Sequence, residues 1–394
     1  MSVLRIIFLQ TSPFSSKDIE SSQWINKGNV SLPVMEATLP SCLSLELPYK
    51  SPSFISIKQM NYMGADLAPL IIRKVTTLEH LSGKHIAIDA NNALYQFLSI
   101  IRIPDGTSLS HNGKTTSHLV GLLYRTTKLI CDYDIRIVYV FDGLPPQIKF
   151  AELEKRRRAK EKSMDEWAQA LREGDTRKAF SKSVMTSQLT RDMIDESKQL
   201  LDLLGVPWVQ APSEAEAQAA YMARKGLWAS GSQDYDSLLF GSPRVVRYVS
   251  TEGRYRMRAE KSRPEIIELE SVLTNNGITR EQLIDISILS GNDFFSGIKG
   301  IGPKRALEIV KRYGGVEGLP QDMKDNLPKN VSEIKTFFLR PPVSEQYEVF
   351  YKRCDEKELS SFLEERGFSK RAVVIAGERM KRLRGKQGIL EDWI

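Results

Sequence analysis

Soft metal ligands are scarce in this chain of 394 residues, which has three cysteines (Cys42, Cys131, Cys354) and four histidines. Their wide spacing cannot supply the clustered nitrogen and sulfur ligands of a zinc site, so any metal is expected to be held by oxygen. No apolar run approaches the roughly 18 residues of a membrane span, and the opening MSVLRIIFLQ has too short an apolar core for a secretory signal. No repeat of solenoid length is evident, which argues against a stacked-repeat architecture. These absences predict a reduced, intracellular, soluble protein without a membrane-spanning segment. What is present is 41% hydrophobic and 27% charged residues, enough for one large or two ordinary domains with a real core. The net charge of +7 and a sequence pI near 9.1 suit a polyanionic partner. Nucleic acid fits, and by charge alone so would an anionic membrane or an acidic protein.

Residues 1–62 carry serines, prolines and isolated hydrophobics without a sustained period. They read as a disordered extension or as the product of a start placed too far upstream, because MGADLAPLIIRKV from Met63 resembles a fresh N-terminus. Beyond it the pattern alternates. HIAIDA, IRIVYVFDG and GSQDYDSLLFG are short apolar units ending in Asp, separated by helical stretches such as TSHLVGLLYRTTKLICDY. The expected fold is α/β, with a central, mostly parallel sheet flanked by helices. Residues of about 150–186 are highly charged and helix-prone, reading either as a solvated helix pair or as a functional segment.

In an open α/β sheet the carboxyl ends of the strands converge on one crevice. That places Asp89, Asp142, Glu214, Glu216, Asp234, Asp236 and Asp293 within reach of one another. At about 5 Å and an effective dielectric near 20, each pair repels by roughly 3 kcal/mol, so such a cluster persists only if cations neutralise it. All-oxygen ligation suits two Mg²⁺ ions, with Mn²⁺ as a substitute, the usual apparatus of phosphodiester hydrolysis. Each acid also has a local reading; Ser213 and Glu216, for instance, fit a helix-capping box.

Lys149 and Arg156, seven residues apart after Pro145–Pro146, share one face of a helix that starts at the mouth of the crevice. There they are candidates to hold a scissile phosphate, against the alternative of a solvated basic face. GIKGIGPKRALEIV has the glycines and basic helix start of a helix-hairpin-helix element, which grips duplex backbone without reading sequence; a plain helix packing joint is the alternative. At the end of the chain Leu390, Trp393 and Ile394 form an apolar plug after Gln387, either a partner-binding peptide or a tail docking on its own domain.

Taken in order, IAIDANNALYQFL, TTSHLVGLLYRT, YVFDGLPPQIK, APSEAEAQAAY, GSQDYDSLLFG, LSGNDF, GIKGIGPKRAL and QGILEDWI resemble the structure-specific flap endonucleases of the XPG-type 5′-nuclease family, in a form closer to the archaeal one. The resemblance covers residues 63–394 and implies a PIN-like nuclease domain over 63–380 and a sliding-clamp (PCNA) binding tail over 381–394. Within the nuclease domain it implies an N-terminal part (63–160), a helical gateway and cap (about 150–186) and an internal part with the hairpin element (200–320). It implies that the seven acids hold metal, that Lys149 and Arg156 are the catalytic basic pair, and that Tyr95 stacks on a base beside the cut. Arg102, Arg125, Gly64, Gly291, Gly300, Gly302, Lys304 and Arg305 match DNA-contacting positions, joined by Glu214 and Asp293 of the acid set, with K⁺ at the hairpin loop. The implied activity is cleavage of 5′-flap DNA and 5′-3′ exonuclease action in Okazaki-fragment processing and base excision repair, by a monomer. A non-catalytic DNA-binding clamp adaptor or a junction-cutting relative would share part of this pattern. An adaptor has no reason to keep seven mutually repelling carboxylates.

Overall fold

The apolar units that end in acids form the middle of a seven-stranded sheet. In this computed structural model, residues 65–102, 108–150, 188–250 and 263–391 are described, with scattered positions between 154 and 173, and side chains are described up to residue 380. All of these belong to one unit, Pro52–Ile394. The strands are β1 (Lys74–Val75), β2 (His85–Asp89), β5 (Arg136–Phe141), β6 (Trp208–Gln210), β7 (Ala229–Gly231), β8 (Arg244–Arg247) and β9 (Glu265–Glu268), in the spatial order β1-β9-β8-β7-β2-β5-β6. A separate antiparallel ribbon pairs β3 (Ser110–His111) with β4 (Lys114–Thr115). From β8 to β6 every pairing is parallel, and the edge formed by β9 and β1 is antiparallel. The largely parallel sheet expected from the sequence is therefore present.

Alternation along the strands sorts side chains to the two faces. Ile86 and Ile88 of β2, with Ile137, Tyr139 and Phe141 of β5, pack under α1 (Ala90–Ile100), α2 (Ser117–Cys131) and α3 (Arg191–Leu204). Ala87, Val138 and Val140 point the other way, onto Ala215, Ala219 and Met222 of α4 (Ala215–Arg224). A second large core gathers the short helix α5 (Asp236–Leu239), α6 (Leu269–Asn276), α7 (Arg280–Ser290) and α8 (Pro303–Tyr313) with α10 (Val331–Leu339), which follows the short α9 (Gln321–Lys324). The helices α11 (Glu356–Glu365) and α12 (Lys370–Glu391) return to the first core through Phe362, Leu363, Val373 and Met380.

Local chemistry sets the helix ends. Asp89 caps α1 by accepting from the Asn92 amide at 2.8 Å, so a strand-terminal acid also starts the next helix. Thr279 and Gln282 form a reciprocal capping box on α7, and Pro303 occupies the first position of α8 after Gly302. The return segment before α11 contributes one more element of order: the Tyr351 hydroxyl accepts from the Ile137 amide at 2.6 Å and donates to its carbonyl at 2.7 Å.

Over the tail expected at 381–394 the backbone of α12 continues as helix to Glu391. Two glycines cost a helix only about 1 kcal/mol each, and no proline is present to end it. The cap of about 150–186 lies mostly outside the described residues, as do residues 1–62.

Candidate active site

Strand β2 has β5 on one side and β7 on the other, so the connections leave it in both directions and open a crevice at its carboxyl end. Asp89 ends β2 there, and Asp142 follows β5. The backbone brings Asp142 against α4 at close range. The Gly143 amide donates to the Ser213 carbonyl at 2.6 Å, and a Cβ on Gly143 would stand 2.2 Å from the Ala211 carbonyl oxygen. Only glycine permits that approach. Asp142 then accepts from the Ala215 amide at 2.8 Å, at the first turn of α4. Asp236 opens α5 and accepts from the Ala65 amide at 2.8 Å.

Solvent access grades across the group. Asp89, Asp236 and Asp293 are buried, Glu214, Glu216 and Asp234 half-buried, and Asp142 exposed at the mouth, although protein crowds it on its other sides. Burial, reinforced by neighbouring carboxylates, pushes Asp89, Glu216 and Asp234 well above the usual carboxylate range. Burial and Asp293 raise Asp236 to about 7. Glu214 and Asp142 are also raised, chiefly by desolvation, against the pull of Lys149. The acids that perturb one another link all seven positions.

The Lys149 side chain lies among them. The Lys149 ammonium contacts Glu214 at 2.6 Å and Asp293 at 3.1 Å. Burial works against its charge, but these two carboxylates more than compensate and hold it protonated. Lys149 ends a 3₁₀ turn, Gln147–Lys149, that starts after Pro146, where the sequence placed a helix start; Arg156 lies outside the described residues. Among the described residues no three Asp, Glu, His or Cys side chains form a ready cage for a metal ion. The acids converge electrostatically, while protein donors and Lys149 hold several of their oxygens. The set nevertheless fits hard divalent cations: its donors are all oxygen, and its carboxylates, withdrawn from water, repel one another.

The capping-box reading of Ser213 and Glu216 is not borne out. The N-cap of α4 is Glu214 without a side-chain cap, the Ser213 hydroxyl has no hydrogen-bond partner, and Glu216 accepts from Ser232 Oγ. Glu216 faces the crevice instead of closing its own helix.

The glycine hairpin connects α7 to α8. Gly291, Gly297 and Gly300 have φ of 110°, 78° and 83°, in the range that glycine favours. A Cβ on Gly297 would meet the Ser290 and Gly291 backbone at 2.6 Å, whereas Gly300 and Gly302 have open space around them. Gly300, Gly302, Lys304 and Arg305 are exposed, and Ile301 is buried beneath as the hairpin's anchor.

Other expected DNA contacts take up protein interactions here. Arg125 is 8% exposed, and its guanidinium holds the Val249 carbonyl through Nε at 3.0 Å and through Nη2. Arg102 donates to the Leu98 carbonyl at 2.9 Å, and burial lowers it to about 10. Tyr95 is half-buried on α1. Gly64, Trp393 and Ile394 lie outside the described residues, and Gln387 and Leu390 are on α12 with side chains outside them.

Sequence reasoning passed over the neutral groups that orient the acids. Asn92 Nδ2 donates to Asp234 at 2.8 Å, Asn91 hydrogen-bonds Asp142, and Ser232 Oγ holds Glu216. The available signal was DANN itself, since the third residue after a capping Asp lies beside the cap.

The XPG N-terminal domain model matches residues 57–163, and the XPG I-region model matches residues 205–293. Flap endonuclease 1 of Caldivirga maquilingensis is 49% identical over 331 residues, covering 81% of this chain and 94% of that protein. Flap endonuclease 1 of Archaeoglobus fulgidus is 46% identical over 338 residues, covering 84% of this chain and all of its own length (100%). The solved structure of flap endonuclease-1 from Methanococcus jannaschii is 39% identical with a TM-score of 0.66, covering 82% of this chain and 100% of that one.

Proposed function

The chain belongs to the flap endonuclease family of XPG-type nucleases, and from that premise we propose that it cleaves 5′-flap DNA where single strand meets duplex, with accompanying 5′-3′ exonuclease action. It is a nuclease of a divalent-metal-dependent family. The observation that carries the reading is the group of seven mutually perturbing carboxylates around the carboxyl ends of β2, β5 and β7 and the starts of the helices beside them, with the protonated Lys149 among them.

Asp89, Asp142, Glu214, Glu216, Asp234, Asp236 and Asp293 would hold two Mg²⁺ ions, or Mn²⁺ in their place. Bound there, such ions lower the pKa of water and polarise phosphoryl oxygens. Lys149, already protonated, exchanges a carboxylate partner for a phosphate oxygen and stabilises its developing charge, with Arg156 as the second cation. Tyr95 stacks a base next to the cut. The hairpin of Gly300, Gly302, Lys304 and Arg305 grips duplex phosphates through backbone amides and side-chain charge, with K⁺ at the loop and Gly291 at its start. Gly64 and Arg102 add backbone contacts, Arg125 acts from behind by fixing the loop after β8, and Glu214 and Asp293 face the same strand. Bending at the junction selects the flap, since a nicked duplex bends more cheaply than a continuous one. The tail residues Gln387, Leu390, Trp393 and Ile394 engage a sliding clamp, which places a monomeric enzyme at Okazaki-fragment processing and base excision repair.

Labelled double-flap DNA incubated with Mg²⁺ tests the reading, with Asp142→Ala alongside. The wild type should release the flap at the junction and the variant should not. An intact flap with the wild type, or equal cutting by both, removes the assignment.

A further inference from the structure

We infer that Asn92 is a positioning residue that fixes the Asp234 carboxylate relative to Asp89, an inference resting on the nuclease reading of the same crevice. Asn92 joins the two acids that end β2 and follow β7. Its backbone amide donates to Asp89 Oδ1 at 2.8 Å, and its side-chain Nδ2 donates to Asp234 Oδ2 at 2.8 Å. The orientation of that amide is set from behind. Gln96, one turn further along α1 and buried, donates from Nε2 to Asn92 Oδ1 at 2.5 Å, which turns the Asn92 NH₂ group toward Asp234. Ser250 Oγ in turn donates to Gln96 Oε1 at 3.5 Å. The neighbouring Val249 carbonyl is held by Arg125, so the relay runs from the loop after β8 to the acid.

The chemistry of the donor matters. Lys149 shows what a cationic partner does here: it occupies Glu214 and Asp293 and neutralises them. An amide aims Asp234 without cancelling its charge, so the carboxylate stays ordered and remains available to a divalent cation. Without the amide, Asp234 would turn away from Asp236, Asp293 and Asp89, which repel it. Neutral partners that orient ligating carboxylates are worth about 10- to 100-fold in metal affinity or activity.

The test compares the full-length wild type with Asn92→Leu and Gln96→Leu. The readouts are kcat and KM on flap DNA, Mn²⁺ affinity of the protein alone by calorimetry, and Tm. Asn92→Leu should lower both kcat and Mn²⁺ affinity about 10- to 100-fold, with KM and Tm nearly unchanged. Gln96→Leu should show a smaller loss of the same kind. Wild-type kcat and Mn²⁺ affinity in Asn92→Leu would overturn the inference, as would a loss confined to KM, which would mean that Asn92 touches DNA. If Asn92→Leu does not fold, Gln96→Leu decides on the same readouts. A wild type that cuts no flap defeats the nuclease reading, while the Mn²⁺ titration still tests Asn92.

Discussion

The acidic crevice and the glycine hairpin are built in opposite ways. In the crevice most of the charged groups are wholly or partly withdrawn from water, and protein donors hold them: Ala65 and Ala215 amides, Asn92, Ser232 and Lys149. In the hairpin the charged groups Lys304 and Arg305 are exposed, and the fold invests in backbone shape through Gly291, Gly297 and Gly300. The difference suits the two tasks proposed for these regions. Chemistry at one phosphate needs charges fixed where solvent cannot screen them, whereas holding a duplex needs many weak contacts that slide. Substitutions should therefore act on rate in the first region and on binding in the second.

The sharpest way to break that division is to remove an acid. Asp236→Ala should lower kcat by on the order of a thousandfold or more while flap binding persists, measured by single-turnover cleavage beside a binding assay. A comparable loss of binding with an intact rate would merge the two regions. Lys149→Ala should follow, with a loss in kcat of about 10²- to 10³-fold. Because Lys149 also neutralises Glu214 and Asp293, its removal should raise the Mg²⁺ sensitivity of stability.

The pH dependence of the metal-free protein comes next. Asp236 is raised in the fold from its ordinary 3.8 to about 7, so the folded state binds its proton more tightly than the unfolded chain does. The associated stability is present below pH 4 and is lost as pH rises towards 7. Asp89, Glu216 and Asp234 act in the same direction. In chelator, this contribution should make Tm fall between pH 5 and pH 8, and Mg²⁺ should restore it at pH 8. A Tm insensitive to Mg²⁺ at pH 8 would show that the acids do not hold the metal.

On the hairpin side, Lys304→Ala with Arg305→Ala should leave kcat at saturation unchanged and flatten the salt dependence of DNA binding by about two units of slope. The smallest effect on basal cleavage belongs to deletion of residues 387–394. It should abolish stimulation by a sliding clamp without touching cleavage of free flaps, and a loss of basal activity would assign the tail to the fold.

Much of this arrangement was legible in the sequence because strand-terminal acids obey a simple rule. Asp89 and Asp142 follow β-branched runs, and parallel strands bring their carboxyl ends together. GIKGIGPKR was legible for the same kind of reason, since glycine-rich turns before a basic helix have few conformations. The partners were not legible. Lys149 reaches Glu214 across 65 positions and Asn92 reaches Asp234 across 142, distances at which a side chain's neighbour depends on the whole sheet. Ser213 and Glu216 offered a local alternative that the fold does not take up. Their spacing satisfies a local motif, but burial of Glu216 beside Asp234 and Asp236 overrides it.

The Tyr351 hydroxyl has a consequence for how the protein is made. It pairs with both backbone groups of Ile137, 214 residues earlier, and so supplies from a side chain what a further strand would otherwise give that position of β5. Until residue 351 has left the ribosome, Ile137 keeps an open amide and carbonyl beside an apolar strand, the kind of edge that recruits other chains. Nascent chains arrested short of Tyr351 should therefore associate or hold chaperones, and chains arrested well beyond it should not.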